Sequence, residues 1–231
     1  LDMEAIAEDS YDLMEAYITA QEQASESMRE AFEIVTTAQK TFAAKHDITM
    51  IESEGDKTSK KIAKANKTLK YYNEIYLIFF KPYKEEVYVL EAQQRDDIKG
   101  MEDYISRLDS ATQEGLAKIK AHPNYGNDMA LKNAARDMLL FYSKEAKKDF
   151  PQILDFYKKK QHFETVKKSF DAKKPKQRTK QDVDKFNKAV KDYNNAIKTF
   201  NNVLKLGNTQ RSAKFKQWNQ RTQSFFDKHS K

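Results

Sequence analysis

The feature that most constrains the fold is a regular spacing of apolar residues between positions 183 and 204. The steps between them alternate strictly between three and four residues, in the set Val183, Phe186, Val190, Tyr193, Ile197, Phe200 and Leu204. Residues at this spacing lie along one face of an α-helix and form the seam of a coiled coil or a helical bundle. The segment therefore predicts a long packed helix. It also raises the hypothesis that the chain is a self-associating structural or assembly module.

Helical periodicity extends over most of the chain, and few residues interrupt it. The 231 residues include only 5 Gly and 4 Pro, with 14 Phe and 12 Tyr to fill a core. A β-sandwich needs many more turn residues than this. We expect an all-α protein, a single elongated bundle over residues 1–231. Its architecture is predicted as up-down, antiparallel and four-helix-bundle-like, with kinked long helical regions at about 3–45, 58–121, 129–172 and 180–229.

Two further regions show an apolar stripe. In the first region the stripe consists of Ile6, Leu13, Tyr17, Ala20, Ala24, Ala31, Val35, Ala38 and Phe42. In the third region it consists of Ala135, Leu139, Tyr142, Ala146, Phe150, Ile153 and Tyr157. A long helix cannot bury its own stripe, so both regions need partners along their length.

The expected interruptions are few. Pro82 and Pro151 each remove an intrahelical hydrogen bond, so we expect kinks or helix ends there, and Gly207-Asn208 predicts a break in the fourth region. Residues 51–57 contain turn chemistry. Residues 122–128 predict the clearest loop, in which Asp128 caps the next helix. The basic segment 173–179 predicts a mobile linker.

The charge distribution is strongly uneven. Residues 1–56 carry a net charge of −11, whereas residues 151–231 carry +14. One interpretation is that the acidic first helix lies beside basic later helices, so that the charges neutralise one another. The other is that a basic C-terminal face attracts an anionic partner.

The basic face defines the candidate binding residues. They are Lys158, Lys159, Lys160, Lys167, Lys168, Lys173, Lys174, Lys176, Arg178 and Lys180. We expect a protein or an anionic surface, such as acidic lipid, as the partner. We do not expect nucleic acid, because Lys far outnumbers Arg, no recognition motif is present, and the acidic first region would repel a polyanion.

The sequence gives no sign of catalysis. The chain has no Cys, and the residues three positions before its four His are Ala43, Ile119, Lys159 and Phe226, so the Glu-x-x-His pairs of di-metal bundles are missing. Carboxylates on the apolar stripes are scarce. Neither a phosphate-binding glycine loop nor a nucleophile elbow is found. We therefore expect a protein that is not an enzyme, with no catalytic residues, cofactor or metal.

The stretch Tyr71–Tyr88 is dense in aromatic residues, which cover more than one helix face. Core packing is the simpler interpretation. The alternative is a lipid or small-molecule carrier whose pocket these rings line.

No apolar run is long enough for a transmembrane helix. The chain opens at Leu1 rather than Met, and we expect an N-terminal portion, such as a signal peptide or lipid-attachment segment, to have been removed.

The segments 38–46 (AQKTFAAKH) and 133–145 (NAARDMLLFYSKE) resemble poorly characterised exported helical proteins of spirochaetes and Bacteroidetes, many of them lipid-anchored. The resemblance implies an extracytoplasmic, lipoprotein-like bundle in the periplasm or on the outer surface. It also implies a lipid-anchored precursor, although the sequence holds no anchoring Cys. The leading hypothesis is therefore a non-enzymatic exported bacterial protein that presents its basic C-terminal face to a partner.

Overall fold

The computed structural model describes residues 11–50 and 54–230, with side chains described from residue 58 onward in the second stretch. These residues contain no β-strand, which confirms the predicted all-α helical-bundle class. The helices are α1 (Tyr11–Lys45), α2 (Glu54–Gln94), α3 (Ile98–Ala121), α4 (Ala130–Lys144), α5 (Phe150–Asp171) and α6 (Lys180–His229). A π-helical turn (Glu145–Asp149) joins α4 to α5, and a 3₁₀ turn (Pro175–Gln177) lies between α5 and α6.

The described residues form two compact units. The first comprises residues up to Phe80 together with 123–135 and 218–230, and its core includes Ile75, Phe79 and Trp218. The second comprises 81–122 and 136–217, and its core includes Leu108 and Leu139. The organisation of residues 1–231 as a single bundle stays a prediction.

The stripe predicted for the third region is confirmed. All seven of its members are buried in α4, the π-turn and α5. Two successive steps of four residues, from Tyr142 to Ala146 and from Ala146 to Phe150, fall where the π-turn begins. A π-turn accommodates one extra residue, so it keeps the stripe on one side despite the irregular spacing.

The stripe predicted for α1 is wrong from Ala24 onward. Its members Ala24, Ala31, Val35, Ala38 and Phe42 are exposed, and the buried residues of α1 are Ile18 and Ala43. Ala43 follows Phe42, so the buried side is rotated by about 100° around the helix. Ile6, the first member of the stripe, and residues 51–53 of the predicted turn lie outside the described residues.

Neither Pro82 nor Gly207, where interruptions are predicted, ends a helix, and a kink at Pro82 stays a prediction. Pro82 lies inside α2, and α6 continues through Gly207, so the break expected there is wrong. The chain turns instead at residues 95–97, where Asp96 has a φ of +53° and the Asp97 carboxylate accepts a hydrogen bond from the Gly100 N–H at 2.9 Å. Pro151 lies in the first turn of α5, a position that tolerates the missing N–H.

The predicted loop at 122–128 is confirmed. Asp128 accepts a hydrogen bond from the Ala130 N–H at 2.8 Å, as expected of a capping residue. Its other oxygen lies 2.8 Å from Lys228 Nζ and 2.9 Å from His229 Nε2. These contacts hold the pKa of Asp128 well below its usual range and tie the loop to the end of α6.

Candidate binding surface

The predicted basic segment lies at the closed end of a helical hairpin formed by α5 and α6. Three stacked ring pairs, here called the ring ladder, join the two helices with centroids 4.1 to 5.0 Å apart: Phe156 on Phe200, Phe163 on Tyr193, and Phe170 on Phe186. Successive rings on each helix are seven residues apart, which is two helical turns, so all of them lie on the facing sides. The seam predicted between 183 and 204 therefore packs within the chain.

A hydrogen-bonded turn closes the hairpin. The Thr179 N–H donates to the Asp182 carboxylate at 2.8 Å, and the Asp182 N–H donates to Thr179 Oγ1 at 3.2 Å. This reciprocal pair caps the first turn of α6. The segment 173–179, expected to be a mobile linker, therefore contains the N-cap of α6.

Two of the predicted binding residues support this turn. Arg178 places its guanidinium 4.2 Å from the ring centroid of Phe170 and donates to the carbonyls of Phe170 and Lys173 at 3.2 and 3.1 Å. Lys173 lies 2.6 Å from the carboxylate of Asp182. The Lys173 ammonium and the Thr179 N–H together lower the pKa of Asp182 to about 2. These contacts of Arg178 and Lys173 stabilise the hairpin. The charges of both residues are therefore engaged by groups of the same chain.

The three lysines 158–160 of the candidate set are also engaged. Lys158 pairs with Glu102, Lys159 with Asp155 at 2.7 Å, and Lys160 with Asp96 at 2.5 Å. Glu102 lies in α3 and Asp96 just before it, far from these lysines in the sequence. The local charge pattern therefore does not show that the two acids pair with Lys158 and Lys160.

Five of the ten predicted residues remain exposed and make no ion pair with any residue in the described part of the chain. They are Lys167, Lys168, Lys174, Lys176 and Lys180. They belong to residues 167–180, a stretch with seven Lys or Arg and only one acid, Asp171. We call this stretch the basic hairpin end. It is the part of the predicted surface that can attract anions.

Sequence reasoning overlooked three neighbouring lysines. Lys185, Lys188 and Lys191 are exposed on α6 and are spaced three residues apart. Their spacing places them on one side of the helix and could have identified them as an extension of the basic hairpin end. Asp184 and Asp192 flank them in the sequence, so the net charge of this group is smaller.

The expectation that few carboxylates face the core is wrong in the second unit. Glu86 of α2 and Glu145 of the π-turn are each only 1% exposed. Arg211 of α6 joins them, donating its Nε–H to Glu86 and an Nη2–H to Glu145 Oε1 at 2.6 Å. We call these three residues the buried charge cluster. Its members are separated by 59 and 66 positions in the sequence, so no local motif reveals it.

Burial and the neighbouring Glu86 raise the pKa of Glu145, and the Arg211 guanidinium opposes this rise. A cavity of about 20 Å³ adjoins the cluster, lined in part by Gly207 and Asn208. That volume admits one water molecule and leaves no room for a substrate. The cluster links α2, the π-turn and α6 through the two hydrogen bonds of Arg211. In the described stretches, no three His, Cys, Asp or Glu side chains are placed to hold a metal ion.

The aromatic stretch Tyr71–Tyr88 consists of rings that pack on other rings. In the first unit, Phe79 lies 4.3 Å from Trp218, and Tyr71 lies 5.7 Å from Phe225, between ring centroids. In the second unit, Tyr83 lies 5.6 Å from Phe215. None of these rings lines the cavity beside the buried charge cluster. Their contacts favour core packing, the simpler of the two sequence interpretations.

No helix of the described residues is sufficiently long and apolar to cross a membrane. Comparisons with protein-family models, with curated proteins and with solved structures find no match to this chain, so the basic hairpin end has to be interpreted from its own residues.

Proposed function

We propose that this protein is a non-enzymatic binding module whose basic hairpin end contacts an anionic surface. The observation that carries the proposal is the set of five exposed lysines at the closed end of the hairpin that form no ion pair with the residues described by the structure. Elsewhere in the predicted basic tract, acids within the chain compensate the cations. A cluster of uncompensated charge raises the local concentration of oppositely charged partners and speeds their association.

The construction of the hairpin supports this function. The ring ladder joins α5 to α6, and the Thr179–Asp182 cap fixes the start of α6. The exposed lysines therefore lie on or beside a turn that the ring ladder and the cap hold in place. A lysine ammonium group is a compact point charge, whereas planar, bidentate recognition of a single carboxylate or phosphate is typical of arginine. A group of lysines therefore suits a diffuse anionic surface.

The proposal includes an extracytoplasmic location, which the resemblance of segments 38–46 and 133–145 to exported helical proteins supports. Protease treatment of intact cells of the source organism tests this point. Degradation in intact cells, or after the outer membrane alone is permeabilised, is the expected result, and protection until the cytoplasmic membrane is broken would contradict it.

Two charge-matched triple variants test the binding function. Replacing Lys174, Lys176 and Lys180 by Gln removes exposed, uncompensated charge. Replacing Lys158, Lys159 and Lys160 by Gln removes the same number of charges from residues that are ion-paired. Binding to heparin and to vesicles containing acidic lipid is measured for each, with circular dichroism as the control for folding.

We expect the first variant to lose about tenfold or more in affinity, and the second to change much less, because its charges are already compensated. Binding of the wild type should weaken steeply when the salt concentration rises from about 0.05 to 0.3 M. Equal losses in the two variants, or binding that is independent of salt, would contradict the proposal. The two probes distinguish a polysaccharide from a membrane surface.

A further inference from the structure

The middle of α6 contains a sequence repeat that the ring ladder uses on one side only. Residues 186–192, 193–199 and 200–206 have the sequences FNKAVKD, YNNAIKT and FNNVLKL, so three heptads follow one another with the same order of residue types. Each heptad begins with a ring of the ring ladder and carries Lys at its sixth position. A repeat of seven residues is close to two helical turns, so equivalent positions lie along one side of the helix.

The side of the repeat away from the rings consists of asparagine and lysine. The second and sixth positions lie about 100° and 140° around the helix from the ring, and all of them are exposed. We call these residues the Asn–Lys face: Asn187, Lys191, Asn194, Lys198, Asn201 and Lys205. The third position of each heptad, which widens this face, is also an exposed Lys or Asn. The only acid of the three heptads is Asp192, about 100° around the helix from Lys191.

Helix stability does not explain the composition of the Asn–Lys face. Asn is a weaker helix former than Ala, Gln or Lys, because its side chain competes for backbone hydrogen bonds. Within the described chain, the three amide groups of the face form no hydrogen bond and its three lysines form no ion pair. These six polar groups are therefore available to a ligand.

We propose that the Asn–Lys face binds a linear acidic polysaccharide that lies along α6. An amide group offers a hydrogen-bond donor and an acceptor, which match sugar hydroxyl groups, and an ammonium group pairs with a carboxylate or a sulfate. The lysines recur at intervals of about 10 Å along the helix, which suits a polymer whose anionic groups also recur regularly. The assignment rests on the proposed function, because it names the partner that the basic hairpin end, at the start of the same helix, attracts by its charge.

The surroundings of the Asn–Lys face favour a polysaccharide over a membrane. A helix that lies in a membrane interface buries its apolar face among the lipids. In this part of α6, the apolar side packs against α5 through the ring ladder. The Asn–Lys face itself carries no apolar side chain able to enter the lipid.

Two triple variants test the Asn–Lys face. Replacing its three lysines by Gln removes the charges. Replacing its three asparagines by Ala removes the amides and at the same time favours the helix, so a loss of binding in this variant cannot result from unfolding. The matched control replaces Asn219, Gln220 and Gln223 by Ala, which removes three exposed amides of the same helix outside the repeat. Thermal unfolding followed by circular dichroism should place the midpoint of the asparagine variant at or above that of the wild type.

Binding to heparin fragments of increasing length is measured by calorimetry at about 0.15 M salt. We expect the affinity of the wild type to rise with fragment length until the fragment spans the face, about 30 Å. For the longest fragments, the lysine variant should lose about tenfold or more in affinity, because each lysine that contacts a linear polyanion releases counterions. The asparagine variant should lose about fivefold or more, as expected for three hydrogen bonds. The control should bind like the wild type.

An affinity that does not depend on fragment length, or an asparagine variant that binds like the wild type, would overturn the proposal. A wild type that binds vesicles of acidic lipid but no heparin fragment would also overturn it, although the proposed function would stand. The variant with Lys174, Lys176 and Lys180 replaced by Gln separates the two proposals. If it alone loses heparin binding, the basic hairpin end is the binding surface and the Asn–Lys face is not. If only the variants of the Asn–Lys face lose binding, the reverse holds.

Discussion

Helices α1 and α6 have the same kind of apolar pattern but use it differently. In α6, the rings at 186, 193 and 200 stack on rings of α5 at centroid distances of 5.0 Å or less. In α1, the stripe from Met28 to Phe42 is exposed over most of its surface. The periodicity identifies the apolar face of a helix, but it does not identify the chain that covers this face. An apolar stripe that stays exposed in the described chain therefore bears on association with another chain.

The two helices also differ in how they hold charge. Arg211 of α6 is enclosed between two buried glutamates, whereas Arg29 of α1 pairs with Glu26 and Glu33 on the surface. Equivalent substitutions in the two helices should therefore have very unequal effects. Five predictions follow from the contrast, in order of decreasing size.

Arg211→Met should have the largest effect. It leaves Glu86 buried without a cation, and loss of one partner of a buried ion pair costs about 3–5 kcal/mol in the free energy of unfolding. Arg29→Met is the matched control, and an exposed ion pair is worth at most about 1 kcal/mol. Urea denaturation of both variants measures the difference. Similar losses would show that the buried charge cluster contributes no more than a surface pair.

Phe156→Ala should lower the free energy of unfolding by about 3 kcal/mol, because it removes a buried ring from the ladder and leaves a cavity. Phe32→Ala makes the same chemical change on α1, where the side chain is 57% exposed, and should cost less than about 1 kcal/mol. Thermal unfolding at low protein concentration compares the two. If Phe32→Ala is as destabilising as Phe156→Ala, α1 is more enclosed than its exposure indicates.

Thr179→Ala should destabilise the start of α6 by about 1 kcal/mol, since it removes the oxygen that accepts from the Asp182 N–H. Thr199→Ala is a suitable control, because Thr199 is an exposed residue in the interior of the same helix. Amide hydrogen exchange near residues 180–183 should speed up only in the first variant. Unchanged exchange there would mean that the cap contributes nothing to the hairpin.

The cap formed by Thr179 and Asp182 predicts that the stability of the protein depends on pH. The folded pKa of Asp182 is lowered to about 2, and an unfolded Asp has a pKa of about 3.9. The contribution of this carboxylate to stability is therefore fully present above about pH 4 and is lost as the pH falls through the folded pKa. An NMR titration of Asp182 should give a midpoint well below 3.9, and a midpoint at the ordinary value would contradict the cap geometry.

The smallest predicted effect is a gain in stability, whereas the substitutions above lower it. Asp47, which follows α1, has a φ of +53°, a conformation that suits glycine. Asp47→Gly should raise the free energy of unfolding by about 0.5 kcal/mol or leave it unchanged, because relief of strain competes with the greater freedom of glycine in the unfolded chain. Asp47→Ala is the control and should not stabilise. Thermal unfolding distinguishes the two variants.

The sequence predicts the fold far better than the candidate site. The stripe from Ala135 to Tyr157 is buried as expected, since helical spacing records burial directly. The ion pairs of Lys158 and Lys160 join residues about 60 positions apart, and those of Arg211 join residues 66 and 125 positions apart. The spacing of charged residues in the sequence does not show which residues they pair with. Four of the ten predicted basic residues pair with acids of the same chain, and Arg178 is held by two carbonyls and a ring. The local sequence pattern does not reveal these contacts or the buried charge cluster.

The π-turn at Glu145–Asp149 has a consequence for how the gene for this chain can change. The turn differs from ordinary α-helix by one inserted residue, so removing one residue there would leave the parts of the helix around Leu139 and Ile153 in their present orientation. A deletion inside α4 or α5 would instead turn one part of the helix by about 100° relative to the other and point one set of core residues away from the interior. Single-codon deletions should therefore be tolerated better at Lys147 or Lys148 than inside α4 or α5.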